Sequence, residues 1–137
     1  MKTPNTWAAL VITGELNPEE ITQLLKIEAS FSHAPGTISD SKNKGFWQLN
    51  SSLDDTEIIE NHLWDILKKL APVRNLIKGI VEKHQVVLYC SVEYSNSGID
   101  SITLGPRILS LIGNLGVSLQ ISHWKNKKLG PTDISLL

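Results

Sequence analysis

The chain is 137 residues long and carries 13 basic against 14 acidic side chains, a formal net charge of −1. That length sustains one domain with a sizeable core, since folding removes roughly two-thirds of the surface that an unfolded chain of this size exposes. The balanced charge excludes a whole-molecule field that would gather nucleic acid or an anionic membrane. The single cysteine, Cys90, excludes an intramolecular disulfide framework and any Cys-based zinc finger.

At the start, a short apolar run from Trp7 to Ile12 is followed by turn residues without a small-residue cleavage pattern, so no signal peptide is expected. Nowhere does the sequence approach the about 18 uninterrupted apolar residues of a membrane span. A reducing, cytoplasmic setting fits both features.

Thr6 to Thr13, TWAALVIT, is apolar on both alternating faces and reads as a central strand covered on both sides. Leu16 to Ile27 reads as a helix. Asn17 is placed to cap it, Pro18 suits its first position, Glu20 completes a capping-box pair, and Leu16 and Ile21 occupy the staple positions. Ile21, Leu24 and Leu25 would face the core. From Glu28 to Lys44 the hydrophobic period is lost and Ser, Gly, Pro, Asn and Asp accumulate, which predicts a long functional loop. Gly45 to Asn50, GFWQLN, reads as a short strand whose mixed faces suggest an edge.

After Leu53, Asp54 and Glu57 form a second capping pair, and Ile59, Leu63, Ile66, Leu67 and Leu70 fall on one helical stripe. Pro72 should stop that helix, and another is predicted from about Pro72 to Lys83 with Leu76, Ile77, Ile80 and Val81 facing in. Gln85 to Tyr94 is β-branched and aromatic, with Val86, Leu88, Cys90 and Val92 on one face. Pro106 to Leu115 is a further helix, with Gly116 as its left-handed stop, and Val117 to Trp124 alternates as a strand with Val117, Leu119 and Ile121 inward.

This order predicts an α+β fold: a four-stranded, mainly antiparallel sheet in a ferredoxin-like βαβ-αα-βαβ arrangement, with the helices packed on one face. Residues 1–137 are read as a single domain with its core over about 5–124. Residues 125–137, KNKKLGPTDISLL, are read as a tail or an arm that packs on a partner.

His33, His62, His84 and His123 show no metal-ligand spacing. Cys90 sits mid-strand on the apolar face and reads as a packing cysteine. No nucleophile elbow, P-loop or dinucleotide-binding glycine pattern occurs. Glu19, Glu20, Asp54 and Asp55 are explained by the dipoles of the helices they begin. Glu93 and Asp100 flank the loop that starts at Tyr94, where site residues often sit. Trp47, Tyr94, Arg107 and Trp124 are of the types that anchor interfaces when exposed, whereas Trp7 and Trp64, and equally Trp47, suit a core. SHWKNKK, Ser122 to Lys128, sets His123 and Trp124 beside three lysines, too few for a nucleic-acid surface.

The stretches WAALVITGELNPEEITQLL, GFWQLNSS and ITLGPRILSLIGNLGVSLQIS, with the long amphipathic helix between them, resemble the bacterial family known as domain of unknown function 4279. The resemblance spans about Asn5 to Trp124. Its most telling elements are the strand-Gly-x-Leu-x-Pro-x-x-Ile opening, Trp47 with Leu49, and Leu115 with Gly116. It implies a small bacterial cytoplasmic α+β domain and no particular reaction. Lys26 stands where that family commonly has a glycine, and Gln120, His123 and Trp124 stand in a region where it frequently has an Asp and a Tyr.

Small size, missing catalytic motifs and aromatic residues near loops favour a non-catalytic protein-binding domain, with a toxin-immunity protein as one form. The alternative is a small-ligand-binding or regulatory domain, and an acid-base enzyme using Glu93, Asp100 or His123 ranks third. Trp47, Glu93, Tyr94, Asp100, Arg107, His123 and Trp124 are the candidate partner- or ligand-binding residues. No catalytic residue, metal or cofactor is expected, nor any nucleic acid or membrane. The expected partner is another protein, and self-association is compatible with the sequence.

Overall fold

The computed structural model describes residues 5–36, 44–93 and 101–124. They form a five-stranded mixed sheet with four α-helices: β1 (Thr6–Gly14), α1 (Pro18–Leu25), β2 (Phe31–His33), β3 (Gly45–Asn50), α2 (Ile59–Leu70), α3 (Arg74–Lys83), β4 (Gln85–Glu93), α4 (Pro106–Leu115) and β5 (Ser118–Trp124). The strand order is β2-β3-β1-β4-β5.

β1 is central, as its two apolar faces predict. It pairs antiparallel with β3, Leu10 opposite Leu49, and antiparallel with β4, Leu10 opposite Leu88. β4 and β5 run parallel, joined through α4. The expected ferredoxin-like order is not the observed one. In that arrangement two βαβ units interleave, whereas here β1 with β3 and β4 with β5 stay side by side, and the β1 to β4 pairing joins the halves. The expected first βαβ unit, with Gly45–Asn50 as its second strand, is not formed, because β3 runs antiparallel to β1; the strand parallel to β1 across α1 is the short β2, and β3 lies between the two.

Two further expectations change together. Residues 31–33 of the supposed loop form β2, which pairs with β3, so Gly45–Asn50 is an interior strand rather than an edge. Its burial follows: Trp47 and Gln48 are inaccessible.

α1 begins as predicted, with Asn17 Oδ1 accepting from the Glu19 backbone N–H at 3.0 Å. It buries Ile21 and Leu25, but Leu24 is 47% exposed. The helix closes on Lys26, whose φ of 58° is left-handed. Asp54 does not cap α2. Its carboxylate accepts from the Thr56 N–H and hydroxyl, both at 2.9 Å, and pins a turn. α2 begins only at Ile59, where the apolar stripe first reaches the sheet. All five predicted stripe residues are then buried. A 3-10 turn over Ala71–Val73 separates α2 from α3, and Gly116 ends α4 at φ 78°.

All four helices contribute to one large core against the sheet face that carries Ala8, Leu10, Ile12, Trp47, Leu88 and Cys90. The opposite face holds a smaller cluster of strand residues, Ala9, Val11, Phe46 and Tyr89, with Trp7 and Phe31 partly buried beside it. No helix among the described residues is long and apolar enough to cross a membrane.

Candidate functional site

The packing of α2, α3 and α4 leaves a cleft of about 380 Å³ on the outer side of the helical layer. Its floor is the outer edge of the core, Leu67, Leu70 and Leu115, with Trp64 and Leu111 as walls. Trp64 is only partly buried and Leu111 is 38% exposed. Among the described residues, Lys68 of α2 and Arg74 and Lys78 of α3 line the cleft, and no carboxylate does. The apolar floor is continuous with the fold's own core, so the cleft has a rigid base.

These cations differ in what explains them. Lys68 lies in the last turn of α2, where a positive charge complements the helix dipole. Arg74 opens α3, where the dipole disfavours a cation, and the first turn of α3 carries no acidic residue. Arg107 repeats that placement in α4, whose first turn also lacks an acid. By contrast, α1 and α2 both begin with acidic residues. Arg74 Nη1 donates to the Ala71 carbonyl at 2.9 Å, which fixes its guanidinium by the cleft. Arg107 stacks over the Trp64 ring, 5.7 Å from the centroid, on the mouth of an adjoining depression that shares Trp64 and Lys68.

A second cleft, of about 340 Å³, opens beyond the carboxyl ends of β4 and β5. Ligands of α/β folds often bind at that end of parallel strands. Glu57, Glu60, Glu93 and His123 line it. Two of its carboxylates hold the chain together: Glu93 Oε2 accepts from the Asn5 N–H at 2.9 Å, and Glu60 Oε2 from the Gly105 N–H at 2.8 Å. That bond gives α4 the cap that Gly105, lacking a side chain, does not provide.

The predicted site residues therefore scatter. Glu93 and His123 meet in the second cleft, and Arg107 adjoins the first. Trp47 presents no surface: it is fully buried, and its Nε1 donates to Thr22 Oγ1 at 2.9 Å, tying β3 to α1. Trp124 ends β5 opposite Glu93. Tyr94, Asp100 and residues 125–137 lie outside the described residues. Trp64, expected in the core, is only partly buried and lines the cleft, and Lys68, Arg74 and Lys78 are not singled out by the sequence. Arg74 and Arg107 in unfavourable first turns were the available signal.

The remaining reactive groups are packed away. Burial pushes the Cys90 thiol up to about 12, so it is no nucleophile near neutral pH. His62 is fully buried on α2, with Nδ1 2.7 Å from Ser51 Oγ. That hydroxyl also accepts from the Ala8 N–H at 3.2 Å, so its own proton can go to Nδ1 and the ring proton to Nε2. Nε2 has no hydrogen-bond partner of good geometry. Burial lowers the His62 pKa, against the opposing pull of the Asp54 carbonyl and of Asp65. Among the described residues, no group of three or more His, Cys, Asp or Glu could hold a metal ion.

The sequence matches the family described as "Domain of unknown function (DUF4279)" over residues 3–126. The chain belongs to that family. The match to DUF4279 takes in every strand and helix described above, and with them both clefts. No curated protein and no solved structure gives a match.

Proposed function

We propose that this DUF4279 chain is a non-catalytic protein-binding domain that engages its partner through the cleft between α2, α3 and α4. The observation that carries this reading is the combination in one place of an apolar floor, a partly exposed tryptophan and three cations without a lining carboxylate. Tryptophan and arginine beside a desolvated apolar pocket are the groups that dominate protein interfaces. The second cleft supports the reading from the other side, since two of its carboxylates hold backbone N–H groups.

The test is an affinity capture from host lysate with the wild-type chain and a Leu111→Glu variant, followed by reconstitution with the purified partner. A partner that binds the wild type with a measurable Kd and loses the variant supports the reading. Absence of any reconstituted partner overturns it. In an immunity role, the neighbouring reading frame encodes a toxin that this chain silences on co-expression.

The size of the cleft favours a second reading, because about 380 Å³ lies within the range of pockets that hold small ligands. Such a ligand, at a hundred times its Kd, would stabilise the fold by about 2.7 kcal/mol. A panel of nucleotides, amino acids and fatty acids followed by thermal melting reads that shift, and flat melting temperatures would count against it.

A further inference from the structure

We infer that the cleft between α2, α3 and α4 takes an acidic amphipathic helix of the partner protein, its apolar side chains entering beside Trp64 and Leu111 and its carboxylates meeting Lys68, Arg74 and Lys78. This rests on the protein-binding reading and specifies the chemistry of the partner. Three observations carry it.

The first is charge. The whole chain is nearly neutral, yet of the described residues three cations and no carboxylate line this cleft. Arg74 Nη1 is held by the Ala71 carbonyl at the end of α2, so its charge stands fixed beside the cleft, where it can meet an anionic partner.

The second is the spread of that charge. Lys68 lies on α2, Arg74 at the start of α3, and Lys78 one turn further on. A fatty acid presents a single carboxylate and would satisfy one of these. A helical peptide with acidic residues flanking its apolar stripe presents several, spaced by turns, and can meet all three at once.

The third is shape. The cleft follows the outer side of α2 from Trp64 to Ala71, and the adjoining depression under Arg107, which is lined also by Glu57 and Asp65, lies outside the seat of an acidic peptide. From Trp64 to Ala71 the cleft's lining spans about 10 Å, the length of roughly two turns of a docked helix. An amphipathic helix laid in a groove uses apolar anchors at i, i+3, i+4 and i+7 over that distance. Leucine side chains on the floor match such anchors, and they offer nothing to the sugars of a nucleic acid.

The experiment uses a fluorescently labelled peptide of about 15 residues, with leucines at that spacing and glutamates beside them, titrated with the full chain and read by anisotropy. Binding with a Kd of about 1–100 μM is expected. The doubly substituted Lys68→Glu, Lys78→Glu chain should bind about tenfold or more weakly, and a lysine-for-glutamate peptide should recover affinity for that variant. Both side chains are exposed, and a melting curve establishes that the variant folds.

Equal affinity for a scrambled peptide, or unchanged affinity in the charge-reversed chain, would overturn the inference. So would displacement of the bound peptide by dodecanoate, or by a short oligonucleotide, at concentrations well below the peptide's own Kd. If the peptide fails while a reconstituted partner still loses Leu111→Glu, the inference falls and the protein-binding reading stands. If no reconstituted partner binds, both fall.

Discussion

His62 shows how a single residue can be legible in place and illegible in consequence. Its position beside the α2 stripe suggests a half-buried histidine, but Ser51, eleven residues earlier in the chain, comes round to Nδ1 and the ring is wholly enclosed. A pH dependence follows. With its folded pKa below the ordinary 6.5, His62 is a group that the unfolded chain protonates more readily. Its stabilising contribution is complete above about pH 6.5 and is lost as the pH falls from there towards the folded value. The aspartates act lower. Hydrogen bonds from Thr56 depress Asp54, while burial raises Asp65 but the Ser52 N–H and Lys69 outweigh it, so both contributions persist above 3.8 and disappear below. Urea unfolding between pH 7 and 4 should show a decline that a His62→Leu variant lacks, whatever that variant's stability at pH 7. Lys26 offers a second test. It closes α1 in the left-handed region, where a side chain is strained and glycine is not. Lys26→Gly should therefore raise stability by about 0.5–1 kcal/mol in chemical denaturation.

At the scale of elements, periodicity found what periodicity can find. The stripe of α2, the alternation of β4 and the Gly116 stop are where the sequence puts them, whereas Ile121, expected inward, is 40% exposed on the edge strand β5. β2 was missed because three residues carry no period, and only the presence of β3 beside them makes a strand of Phe31–His33. The start of α2 was misplaced because Asp54 satisfies the same hydrogen-bonding preference in a turn as it would at a helix cap. Two glycines divide along the same line. A Cβ on Gly45 would run into the Leu16 carbonyl, so the start of β3 tolerates no side chain there. Gly45→Ala should cost about 3 kcal/mol or more, or give no folded protein. Gly79 lies inside α3 with nothing near its missing Cβ, and Gly79→Ala should add about 0.5–1 kcal/mol. Paired melting curves of the two alanine variants check both signs.

For the whole molecule, the class and the single helical layer were readable from the sequence, while strand order and the binding cleft were not, for one reason. Both depend on which segments become neighbours, and Trp64, Arg74 and Leu111 converge only once α2, α3 and α4 have packed. If the cleft binds an acidic partner, raising the salt should weaken the complex, because exposed charges more than about 10 Å apart are largely screened at 0.1 M. Kd measured against ionic strength reads this directly, and a flat profile would point to apolar contact alone. The central position of β1 has a further consequence, in the order of events during synthesis. β1 leaves the ribosome before either strand that will flank it, and Thr6 must wait for Val92. Until β3 emerges both of its hydrogen-bonding edges are bare on an apolar segment, and the edge that β4 will take stays bare longer. The same strand that organises the finished sheet is thus the nascent chain's most exposed site for mispairing, and the one a holding chaperone would be expected to cover.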